Sequence, residues 1–283
     1  MFPAPIARAA PAVRWIYMAG LPVSLLIWLL PILAVALTSI RGAGDIAAGN
    51  YWGWPTEWRS VENYTAVFRN TPIASYILNS FLVTVPTVLG ALVLSSLSGF
   101  ALGVYRFRLN LAVFFLFVGG NFIPFQILMV PVRDMSLKLG MYDSIAGLAL
   151  FHIAFQTGFC TFFMRNFIRD LPHELIEAAR IEGASEFQIF RRIVLPLVRP
   201  ALAALAVLVF TFIWNDYFWA TVLIQGDHAM PVTGGLKSLN GLWVAQWHLV
   251  SAGSIVAALP PVAIFFLMQK QFIAGLTLGA TKG

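Results

Sequence analysis

Charge is scarce in this 283-residue chain. Asp, Glu, Lys and Arg make up 11% of it, against 59% hydrophobic residues and a mean hydropathy of +0.82. So few charges cannot cover a soluble globular surface. Cysteine is nearly absent: Cys160 stands alone in an apolar segment, which excludes an intramolecular disulfide and leaves it a small buried apolar residue. The histidines at 152, 173, 228 and 248 are dispersed without metal-ligand spacing. No Gly-rich phosphate loop, paired acids or His cluster occurs, so neither catalytic residues, a metal nor a cofactor is expected in this chain. The net charge of +6 comes from scattered basic residues rather than a patch, which argues against a nucleic-acid partner.

What is present is apolar length. About 20 apolar residues cross the hydrocarbon core as a helix, and six stretches qualify: 15–39, 77–104, 110–131, 143–167, 200–225 and 250–271. Pro22 and Pro31, Pro86 and the Pro260-Pro261 pair fall inside three of them, kinks that membrane helices tolerate where neighbours satisfy the freed backbone groups. Phe122 to Pro131 is expected to bend at the surface. Arg8 and Arg14 precede a first run too long for a signal peptide, which is expected to remain as a membrane helix. These readings predict an all-α membrane protein of six transmembrane helices over 15–271, a short N-terminus over 1–14, and a Gly-rich, aperiodic tail over 272–283. Between the first two spans, Tyr51, Trp52, Trp54 and Trp58 read as an interfacial aromatic belt against lipid in preference to a ligand cage.

Lys and Arg set the orientation. One side of the membrane holds twelve: Arg8, Arg14, Arg106, Arg108, Arg165, Arg169, Arg180, Arg191, Arg192, Arg199, Lys270 and Lys282. The other holds six: Arg41, Arg59, Arg69, Arg133, Lys138 and Lys237. The richer side is expected to be cytoplasmic, with both termini on it.

Five of the twelve acidic residues, Asp170, Glu174, Glu177, Glu182 and Glu186, fall in one loop of that side, over 170–198. Its local pattern predicts a helix–Gly–helix knob. Pro172 suits a first helical turn, Glu174 and Glu177 the positive end of the dipole, and Leu175, Ile176 and Ala179 an apolar face. Gly183 suits a left-handed turn and Ser185 an N-cap. Phe187, Phe190 and Val194 form a second apolar stripe, with Pro196 and Pro200 expected to end the helix. A soluble partner, or a helix lying in the membrane interface, would account for the segment.

Glu177-Ala178-Ala179, Gly183 three residues past Arg180, and Ile193-x-Leu195-Pro196 resemble the loop of the permeases of bacterial ATP-binding-cassette importers. Glu182 stands where many of those relatives have Asp. Asn79-Ser80-Phe81, Ile123-Pro124, Leu139-Gly140-x-x-Asp143, Trp214-Asn215-Asp216 and the tail from Gly275 to Gly283 are similar to the carbohydrate branch paired with maltose-type transporters. The resemblance runs from about residue 60 to the end. It implies a bacterial inner-membrane subunit that moves a sugar delivered by a periplasmic or lipid-anchored binding protein. It also implies a second, related permease and an ATPase dimer that hydrolyses ATP in place of this chain. Glu177, Ala178, Ala179, Glu182, Gly183, Ala184, Phe187 and Phe190 are then expected to dock the ATPase. The same branch includes relatives for other small polar solutes such as glycerol phosphate. An ion-driven transporter would require several intramembrane ionisable groups and internal repeats, and Asp216 is the single acid found there.

Two further sites follow. Asp216 lies about 25 Å up its helix from Arg199, and an acid at that depth is a functional candidate. Trp214, Asn215, Asp216 and Tyr217 are therefore candidates for the substrate pathway, with a helix–helix polar contact at the interface between two permeases as the competing reading. Pro231, Thr233, Gly234 and Gly235 lie in the loop that the resemblance implies enters the binding protein. A plain connector is the alternative.

Overall fold

The computed structural model describes residues 9–239 and 246–278, with Ile6 ahead of them. These residues are nearly all helical, and the extended pairing among them is one isolated bridge between Arg41 and Trp58. The chain divides into two compact units, residues 1–71 with 238–256, and residues 72–237 with 257–283.

In the first unit, α1 (Pro11–Ile40) carries Leu, Ile, Val and Trp around its whole circumference and leaves most of them exposed, the pattern of a helix facing lipid. The polar stretch after it is a built structure. Arg41 is fully buried and donates to the carbonyls of Asn50 and Gly53, while Asp45 accepts from Thr56 N and Oγ1 at 2.9 and 2.6 Å. Asn63, on α2 (Ser60–Asn70), donates to the carbonyls of Ser39 and Arg41. Tyr51, Trp52, Trp54 and Trp58 point outward from this scaffold, as a belt requires.

The second unit is organised on two parallel helices, α3 (Ile73–Val104) and α6 (Ile145–Arg169). Small residues let their backbones approach, as is common between membrane helices. At Gly99 an added Cβ would stand 3.0 Å from Arg165 N. Both helices therefore end on one side, Tyr105 beside the turn that follows Arg169.

Among the described residues four helices are long and apolar enough to span alone: Pro11–Ile40, Ile73–Val104, Ile145–Arg169 and Trp247–Gln271. Two bent pairs, Asn110–Gly120 with Phe125–Lys138 and Glu186–Leu197 with Arg199–Trp214, bring the candidate spans to as many as six. The third span is α4 (Asn110–Gly120) followed, after an 87° turn, by the segment Phe125–Lys138, which includes α5 (Met129–Lys138). Gly119 and Gly120 weaken the helix there and Pro124 cannot donate to it. The fifth span, expected to be continuous over 200–225, is not. The helical segment Glu186–Leu197 meets α9 (Arg199–Trp214) at 73°, and the chain breaks at 215–217 before α10 (Phe218–Leu223). Pro196 and Pro200 sit at the first helical positions of the pieces they begin, where a missing N–H costs nothing, so they mark a bend and not an end. The last helix, α12 (Trp247–Leu278), runs past the expected boundary at 271. Residues 279–283 of the expected tail lie outside the described residues.

Candidate functional site: the acidic knob and the Asp216 break

The loop after α6 folds as two helices joined by one sharp turn. α7 (His173–Ile181) buries Ile176 and Ala179 and places Glu174 in its first turn and Arg180 in its last, matching the dipole at both ends. Pro172 caps it from just outside. Gly183 takes φ +81°, and the backbone closes as Gly183 N to Arg180 O and Ala184 N to Ala179 O, both 3.0 Å, a Schellman arrangement. Ser185 then opens α8 (Glu186–Ile189) with a reciprocal capping box: Gln188 N donates to Ser185 Oγ and Ser185 N donates to Gln188 Oε1. A π-helical turn over Phe190–Val194 carries the chain on to Leu195.

A three-residue lock crosses this turn. Arg180 donates to Glu186 through Nε at 2.8 Å and Nη2 at 3.1 Å, and the Tyr105 hydroxyl donates to Glu186 Oε2 at 2.6 Å. The Arg180 guanidinium stands 5.8 Å from the centre of the Tyr105 ring. Glu186 is held below the usual carboxylate range by Arg180 first and Tyr105 second, while burial and the Glu186 carboxylate push Tyr105 up to about 12. Phe190 packs on Phe100 with ring centres 5.3 Å apart. The knob is thus pinned to the end of α3 by a polar tie and an aromatic one. Glu186 was legible only as one more acid, and Tyr105 lies 81 residues away, a pairing no local pattern encodes.

Of the eight residues expected to dock a partner, Glu177, Ala178, Glu182, Gly183 and Phe187 are exposed, and Ala184 is half-buried. Ala179 and Phe190 face inward and hold the knob together. Within the two apolar faces that spacing defines, Ile176, Ala179, Phe190 and Val194 are buried while Leu175 and Phe187 are not. They point outward, as does Ile181, which is 87% exposed and escaped the periodicity because it ends its helix. The outward face therefore alternates Leu175, Ile181 and Phe187 with Glu174, Glu177 and Glu182. Apolar side chains exposed among acids suit a protein partner better than the lipid interface. Beside them a cavity of about 570 Å³ is lined by Tyr105, Arg106, His173, Glu177, Arg180 and Glu186.

The four residues at the break in the fifth span separate. Trp214 is core: it is 2% exposed, donates Nε1–H to the Ala257 carbonyl at 3.0 Å and packs on Phe81 and Phe210. It has no free face for a sugar, contrary to the expectation from sequence. Asp216 turns back into its own subunit. It caps α10 by accepting from Trp219 N and Ala220 N, and its Oδ2 lies 3.4 Å from Nε2 of the buried His152. The contact lies within this chain, between the fourth and fifth spans, and not at the interface with a second permease that the competing reading had. Asn215 and Tyr217 remain exposed at the break.

The segment 225–235 is tied down from three sides. Gln225 N and Gly226 N donate to Asp143 Oδ1, Asn79 Nδ2 donates to the carbonyls of His228 and Met230, and Val232 N donates to Ser80 Oγ. Those backbone bonds, Gly226 first, hold the Asp143 carboxyl below its ordinary range. Pro231, Gly234 and Gly235 are buried and Thr233 is bonded to the Asp216 carbonyl at 2.5 Å. None of the four is free to reach a partner, a correction to the sequence expectation. Asn79 and Ser80 were visible as motif residues, but their role in clamping this segment required the fold.

The profile of the family described as binding-protein-dependent transport system inner membrane component matches residues 3–278, and the chain belongs to that family. It is similar to the arabinooligosaccharides transport system permease protein of Bacillus subtilis, 31% identical over 91% of this chain and 92% of the relative. It is also similar to the melibiose/raffinose/stachyose import permease protein of the same organism, at 32% over 90% and 91%, and to the sn-glycerol-3-phosphate transport system permease protein of Pectobacterium atrosepticum, at 34% over 82% and 81%. Its fold matches a chain of the crystal structure of a bacterial ABC transporter that imports the acidic polysaccharide alginate, with a TM-score of 0.79 at 23% identity, covering 93% of this chain and 99% of that one. The chain is a membrane-spanning permease subunit of an ATP-binding-cassette importer, and ATP hydrolysis belongs to a separate subunit.

Proposed function

We propose that this subunit carries a sugar or short oligosaccharide, delivered by a binding protein, and that the knob from His173 to Leu197 transmits the motion of an ATPase dimer. The observation that carries the reading is the outward face of Leu175, Ile181 and Phe187 set among Glu174, Glu177 and Glu182, on a turn locked by Arg180, Glu186 and Tyr105. A docked element must be rigid to pass on a displacement and exposed to receive one. The knob is both. Glu177, Ala178, Glu182, Gly183 and Phe187 are its contact residues, with Ala179, Ala184 and Phe190 behind them.

The excess of Lys and Arg on the knob's side supports a cytoplasmic knob with both termini on the same side. A second permease of related sequence completes the pathway, and lipid surrounds the pair. A neutral polar cargo is supported by the relatives' names and by the fifth span, whose acid, Asp216, is taken up by the amides of Trp219 and Ala220. Asn215 and Tyr217, exposed beside Asp216, are this chain's candidate contacts to the sugar.

Uptake of a labelled oligosaccharide into proteoliposomes tests this. It should require ATP, the ATPase and the binding protein together, resist collapse of ion gradients, and resist competition by glycerol phosphate. Uptake driven by an ion gradient without ATP would end the proposal.

A further inference from the structure

Two basic residues, Arg199 and Lys270, stand at the feet of α9 and α12, apart from the break at 215–217. A cleft of about 660 Å³ is lined by Pro196, Arg199, Pro200 and Ala203 on one helix and Met268, Lys270 and Gln271 on the other. The α9 segment begins at Arg199 and the last apolar span ends at Gln271, so both cations stand at one boundary of the bilayer. Both are exposed, and among the described residues neither pairs with a carboxylate. No acid lines the cleft, and α9 has no acidic residue in its first turn. The guanidinium of Arg199 therefore sits at the positive end of its own helix dipole, an arrangement that is unfavourable until an anion arrives.

We propose that this cleft binds the phosphate of an anionic phospholipid headgroup. Arg199 offers the planar fork that takes two phosphate oxygens, and Lys270 adds a point charge opposite it. Pro200, Ala203 and Met268 give an apolar wall leading from the charges toward the hydrocarbon, which a free phosphate has no use for and an acyl chain does. Basic pockets between membrane helices at the polar boundary are suited to such headgroups. The proposal requires only that α9 and α12 span the membrane, so it stands or falls apart from the choice of cargo and from the orientation.

The test is lipid retention by the assembled importer complex, purified from nanodiscs of phosphatidylglycerol and phosphatidylcholine and read by native mass spectrometry. The wild-type complex should keep phosphatidylglycerol selectively. Arg199→Gln and Lys270→Gln should each lower its retention about fivefold, the value of one surface cation against an anionic lipid. Arg199→Lys should retain part of it, and Arg108→Gln, an exposed basic position outside both the cleft and the knob, should change nothing. Ala203→Phe should displace the lipid by filling the wall while leaving both charges in place. Equal retention of phosphatidylcholine, full retention by the Arg199→Gln/Lys270→Gln double variant, or an equal loss in the Arg108 control would overturn the site in favour of diffuse surface charge. Displacement by excess inorganic phosphate would assign it to a free anion. Retention by the isolated subunit but not by the complex would assign the cleft to a partner subunit.

Discussion

Removing the Glu186 carboxylate should loosen the knob without unfolding the membrane helices. In Glu186→Ala two bonds from Arg180 and one from Tyr105 are lost together. The side chains of the ion pair are 38% and 44% exposed, so screening keeps that pair to about 0.5 kcal/mol. The Tyr105 bond, short and to a charged acceptor, adds about 1 kcal/mol. The sum of about 1.5 kcal/mol is roughly a tenfold fall in the population of the closed turn. Hydrogen exchange at the amides of 182–188 should rise by about that factor, and ATP hydrolysis stimulated by the binding protein should fall with it. Tyr105→Phe should give the larger share and Arg180→Met the smaller. The pH dependence follows from the shifts. Glu186 is depressed, so its contribution is complete above the ordinary carboxylate range and is lost as pH falls through its lowered value. Tyr105 is raised, so its contribution is complete below 10.0 and is lost as pH rises toward about 12. Docking of the ATPase should therefore be flat between about pH 6 and 9. Unchanged exchange and normal stimulated hydrolysis in Glu186→Ala would refute the reasoning, because the turn would then be held by its backbone caps alone.

Three more outcomes are expected. Gly183→Val should detach or uncouple the ATPase while leaving membrane insertion and binding-protein docking intact; with open space around its Cβ the cost is the backbone at φ +81°, about 1–2 kcal/mol, and not a wedge between the helices, so Gly183→Asn should come close to wild type in co-purification. A cysteine at Ser185 should react with impermeant reagent only from the cytoplasm and one at Ser238 only from outside; reversed labelling would remove the orientation on which the docking reading rests. Asp216→Ala should lower the melting temperature of the purified subunit through the lost cap of α10, about 1 kcal/mol, with His152→Phe acting in the same direction; loss of sugar uptake with unchanged melting would instead restore Asp216 to the substrate pathway.

Composition and local pattern determined much of this protein. Apolar run length pointed to six spans, of which four are single helices long enough to cross and two are bent pairs among the described residues, because a lipid-facing helix has no polar face to disguise it; the Lys and Arg distribution gave them an expected orientation. Gly183, Ser185 and Gln188 encoded the turn of the knob, since caps and left-handed glycines act within a few residues of chain. Tertiary structure decided what distance conceals. Nothing near Glu186 announces Tyr105, and nothing near Asp216 announces His152, so an acid read as a contact for sugar became a helix cap. Periodicity grouped Leu175 with Ile176 and Ala179, and Phe187 with Phe190 and Val194, because it reports which residues share a side of a helix, but not which of them the rest of the fold covers. The bend after residue 120 was expected from Phe122 to Pro131, but the break at 215–217 escaped it. Hydropathy measures how well a segment dissolves in lipid, and a bent span dissolves as well as a straight one.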